Sequence, residues 1–71
     1  MIIEIRRIED GSLIDYAPEG FNASATQREK SAYYLMQKTT LSFDDMYCSI
    51  TDPITGIAER KFQLNEGQYD E

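Results

Sequence analysis

The amino-acid sequence predicts an α+β domain: a four-stranded, mainly antiparallel sheet with one helix packed on one face, in the order hairpin, helix, hairpin (ββαββ). Three observations carry this expectation. Two runs of turn residues each separate β-branched or alternating segments, and a doubly marked helix start lies between them.

Residues 2 to 8, IIEIRRI, are rich in β-branched isoleucine and read as a strand. Asp10-Gly11 follows, a pair that favours a type I′ hairpin turn with positive φ at both central residues. The second strand covers about 13 to 17 and stops at Pro18-Glu19-Gly20. Ser24-Ala25-Thr26-Gln27 and Thr26-Gln27-Arg28-Glu29 both fit a capping box, in which a hydroxyl and a Glu or Gln satisfy each other's backbone N–H. Good helix formers continue to the β-branched pair Thr39-Thr40, so the helix is placed at 24 to 39. In MYCSIT, residues 46 to 51, Met46, Cys48 and Ile50 alternate with Tyr47, Ser49 and Thr51, the period of a half-buried strand. Asp52-Pro53-Ile54-Thr55-Gly56 has the residues of a hairpin loop, and 57 to 64 alternates as the last strand. In LSFDDM, Ser42 to Asp45 also fits a capping box, but the alternation that follows favours strand over a short second helix. The domain is expected to span residues 1–64, with NEGQYDE, residues 65–71, as a loose acidic tail.

Seventy-one residues allow one domain with a small core. A single cysteine and no histidine exclude an internal disulfide, a Cys/His metal cluster and the commonest general base. Cys48 belongs to the apolar set of its strand and reads as a core residue instead of a nucleophile. The glycines fit turns, and no phosphate-cradling loop is visible. The expectation is a non-enzyme without metal or cofactor. A lone cysteine suits a reducing compartment, and no apolar run approaches the roughly 18 residues that span a bilayer, so a cytoplasmic, non-membrane protein is expected.

Thirteen acidic residues against seven basic ones leave a net charge of −6. That balance repels bare nucleic acid and favours basic partners, among them proteins that themselves hold DNA or RNA. The charge is uneven. Between residues 22 and 40, Arg28, Lys30 and Lys38 face Glu29 alone, a net +2, and the rest of the chain carries −8. Glu9, Asp10, Asp15 and Glu19 surround the first hairpin while Asp44, Asp45 and Asp52 flank the third strand, so a continuous acidic stripe forms if these ends meet.

Tyr33 and Tyr34 are neighbours on the helix, and successive helical residues turn by about 100°, so both cannot face one core. Ala25, Ala32, Leu35, Met36 and Thr39 fall on the side expected to face the sheet. Tyr33 lies at its edge, with its hydroxyl expected in water. Tyr34 points the opposite way, between Lys30 at i−4 and Lys38 at i+4. An exposed tyrosine adds contact area at little conformational cost, so Lys30, Tyr34 and Lys38, with Asp44, Asp45, Tyr47 and Asp52, form the candidate partner-binding set. The sheet face that the helix leaves open presents some of Ile2, Glu4, Arg6, Ile8, Tyr16, Tyr47, Ser49 and Thr51.

The segments IIEIRRIEDGSLIDY, SATQREKSAYYLMQK and YCSITDPITGIAERKF, taken as hairpin, capped helix and hairpin in a compact acidic chain, resemble in outline small phage-encoded inhibitors of host defence, including some anti-CRISPR proteins. The resemblance implies no catalysis and a tight grip on a nucleic-acid-handling protein whose channel is blocked, sometimes by carboxylates standing where phosphates lie. The basic helix segment departs from a pure DNA mimic. Three functions are therefore carried forward. The first is an interaction module that occludes a basic partner; the second is a small homo-oligomeric domain, a homodimer in its simplest form, whose spare sheet face is buried against itself. The third is a nucleic-acid binder acting through Arg28, Lys30, Lys38 and Tyr34, against which the net charge argues.

Overall fold

A computed structural model describes residues 1–20 and 23–69, the side chain of Glu59 excepted. Strands β1 (Ile2–Arg7) and β2 (Leu13–Pro18) precede helix α1 (Ala25–Gln37); a 3-10 turn (Phe43–Asp45) then leads into β3 (Met46–Thr51) and β4 (Ala58–Phe62). The sheet runs β2-β1-β3-β4, with each neighbouring pair antiparallel. The segment containing the helix thus carries the chain from edge strand β2 past β1 to β3, and the fold is the expected α+β arrangement.

Strand alternation sets the core. Register pairs Ile3 with Ile50, Ile5 with Cys48 and Arg7 with Met46, which puts the apolar residues of both central strands on one side. Against them α1 buries Ala32, Tyr33, Leu35 and Met36, and Phe43 and Leu64 complete the cluster. Each large aliphatic side chain removed from water here contributes about 1.5–3 kcal/mol. The helix begins where the first capping box places it: Gln27 N–H donates to Ser24 Oγ at 3.2 Å, and Ser24 N–H donates to Gln27 Oε1 at 2.9 Å.

Three local expectations are corrected. LSFDDM is not strand at its start: Ser42 Oγ accepts from Asp44 N–H at 3.3 Å and caps a single 3-10 turn before Met46 turns extended. Asp10-Gly11 is not a two-residue type I′ turn, because Gly11 has φ 71° and no other residue of that loop has positive φ. Instead Arg7 N–H donates to Ser12 O and Gly11 N–H to Arg7 O, a four-residue loop with one left-handed position. The second hairpin repeats this geometry, with Asp52 N–H to Ile57 O, Gly56 N–H to Asp52 O, and φ 72° at Gly56. Finally, Tyr33 is fully buried and its hydroxyl is not in water.

The cover over that hydroxyl is the segment expected to be a loose tail. Its described part, residues 65–69, lies back on α1; residues 70 and 71 fall outside the described residues. Gly67 N–H donates to Tyr33 Oη at 3.0 Å, and Gln37 Nε2 donates to the same oxygen at 3.2 Å. The ring of Tyr69 stands edge-on to Tyr33 with centroids 5.4 Å apart, and Phe43 does so from another side at the same distance.

Candidate partner-binding surfaces

The candidate residues fall on separate surfaces. On α1, Tyr34 is 52 % exposed and stands edge-on to buried Tyr33, with ring centroids 5.8 Å apart. The anticipated bracket of two ammonium groups is only partly built. Lys30 Nζ lies 5.9 Å from the Tyr69 ring centroid, so the tail takes up one of the two cations. Lys38 is the helix C-cap and is exposed.

Asp44 and Asp45 sit in the 3-10 turn, both exposed. Ile8, just past β1, donates its N–H to Asp45 O at 3.0 Å, and this bond draws the first hairpin loop against the turn. Glu9 therefore joins Asp44 and Asp45 at one end of the sheet, with Asp10 following it in the same loop. A cleft of about 380 Å³ lies there, lined by Arg7, Ile8, Glu9, Leu41, Asp44 and Asp45. Its lining combines the apolar Ile8 and Leu41 with three acidic residues and Arg7. The hydrogen bond from Ser12 holds the Asp10 carboxyl below its usual range, so that group is firmly anionic at neutral pH.

Asp52 does not join this cluster. It follows β3 at the opposite end, where β1 begins, and its carboxylate accepts from Ile54 N–H at 2.8 Å within the second hairpin loop. The acidic stripe is thus divided between the two ends of the sheet. Tyr47 belongs to a third surface. Register pairs it with Arg6 on the face away from the helix, where Glu4 pairs with both Tyr16 and Ser49. Arg6 Nη2 donates to Glu4 Oε2 at 2.9 Å and Arg6 Nη1 to Gly11 O at 2.8 Å; Thr51 Oγ1 donates to Glu4 Oε1 at 3.0 Å and lies 3.3 Å from Ser49 Oγ.

The sequence-level site set omits Glu9, Asp10 and the cleft residue Ile8. Their signal is the β1–β3 register, which sets Arg7 opposite Met46 and so places the following Ile8 beside the residue preceding Met46. Nucleophilic chemistry has a poor candidate in Cys48: it is fully buried, its Sγ is 3.2 Å from Met36 Sδ, and burial pushes its thiol up to about 12. Among the described residues no group of three or more His, Cys, Asp or Glu side chains is placed to hold a metal ion, and no helix is long and apolar enough to cross a membrane. Comparison of the chain with protein-family models, with curated proteins and with solved structures found no match.

Proposed function

We propose that this protein is a non-enzymatic interaction module whose acidic end grips a basic, nucleic-acid-handling protein and occludes its nucleic-acid channel, in the manner of the anti-CRISPR-like inhibitors that the sequence resembles. The observation that carries this reading is the meeting of Glu9, Asp44 and Asp45, three carboxylates against the single cation Arg7, around the exposed side chain of Ile8. The carboxylates attract arginine and lysine heads, and Ile8 and Leu41 accept their methylene stems, so both halves of a basic side chain find a counterpart. Tyr34, on the helix, is the aromatic contact of a more extended footprint.

The test is affinity capture from a bacterial lysate at low and high salt, with Asp44→Lys/Asp45→Lys and Tyr34→Ala run beside the wild type. Support consists of a nucleic-acid-handling protein that is captured at low salt, lost on charge reversal, and inhibited in nucleic-acid binding by the purified wild type. Capture that is indifferent both to salt and to charge reversal removes the acidic end from the mechanism.

A further inference from the structure

We draw no further inference here: the strongest candidate, the cleft at the start of α1 that Arg28 and Arg60 line together with Ala23, Ala25 and Ile50, carries none, because Glu29 already holds the Arg60 guanidinium over the Phe62 ring and nothing else at this helix start points to an anionic ligand.

Discussion

The hydroxyl of Tyr69 donates to Glu29 Oε2 at 2.6 Å across 40 residues of sequence, and Arg60 pairs with the other oxygen of the same carboxylate. One side chain on the second turn of α1 therefore ties the C-terminal segment and edge strand β4 to the helix. Gly67, between β4 and Tyr69, adds the bond to Tyr33. Tyr69→Phe is expected to loosen this clasp without unfolding the domain. Amide exchange at Gly67 should quicken by comparison with wild type, while exchange at Ile5 and Cys48 in the central strands stays slow. Equal protection of Gly67 in both proteins would show that the clasp holds without Tyr69.

The same contact sets a pH window. The Tyr69 hydrogen bond, with Arg60 next, holds the Glu29 carboxyl below its ordinary 4.5. A depressed carboxylate contributes stability that is fully present above 4.5 and is lost as pH falls through the lower folded value. Tyr69 behaves oppositely: its bond to Glu29, followed by burial, raises its hydroxyl above the ordinary 10.0, so its contribution is present below 10 and is lost as pH rises through the folded value. The clasp is thus expected to hold between about pH 4.5 and 10 and to loosen on both sides. The Gly67 amide shift, followed against pH, should show both limbs in wild type, whereas Tyr69→Phe should lose the alkaline limb and keep only the part of the acid limb that Arg60 supplies. Because Glu29 is partly exposed, salt should flatten the acid limb.

Tyr33→Phe probes the other half of the tail contact. The ring stays packed against Phe43 and Tyr69, but Gly67 N–H and Gln37 Nε2 lose the oxygen that both donate to. Loss of about 1 kcal/mol in urea unfolding is expected, with an unchanged m-value. A neutral result would mean that water takes the place of the hydroxyl and satisfies both donors.

Tyr33 shows where sequence is sufficient and where it is not. Strands were legible from Ile3, Ile5, Cys48 and Ile50 because alternation is a local property of extended chain, and the helix start from Ser24 and Gln27 because capping needs only four residues. The sequence places Tyr33 at a wet edge because its cover comes from a segment more than 30 residues away, too polar to look like part of a core. Asp10-Gly11 reads as a tight turn because its dipeptide signal does not reveal that Ser12 is closed by Arg7 and not by Glu9. The acidic residues are visible individually, yet only the β1–β3 register decides that Glu9 lies beside Asp44 and Asp45 while Asp52 lies at the far end.

Ser24→Ala removes the acceptor for Gln27 N–H and leaves the reciprocal bond from Ser24 N–H to Gln27 without its partner geometry. The expected cost is about 1 kcal/mol of unfolding free energy, with the loss of helical ellipticity confined to the first turn. Thr26→Ala serves as the comparison. Thr26 is the hydroxyl of the alternative capping box, which the fold places inside the helix, so its removal should be neutral within a few tenths of a kcal/mol. Reversal of that order would show that the helix starts two residues later in solution.

Cys48 offers a probe of the core that needs no substitution. Its thiol is fully buried between β3 and α1, and burial alone raises it to about 12, so at pH 8 almost none is thiolate. Reaction with a disulfide reagent requires both access and the thiolate, and neither exists while Met36 lies against the sulfur. Labelling in native buffer should therefore be limited by opening of the domain, and its rate should rise steeply through the denaturant transition. Tyr69→Phe discriminates between two kinds of opening. If release of the C-terminal clasp is enough to expose the sulfur, that variant labels faster in native buffer. If exposure needs separation of α1 from β3, labelling tracks global stability alone, which is the outcome expected from the position of Cys48 opposite Ile5 at the centre of the sheet.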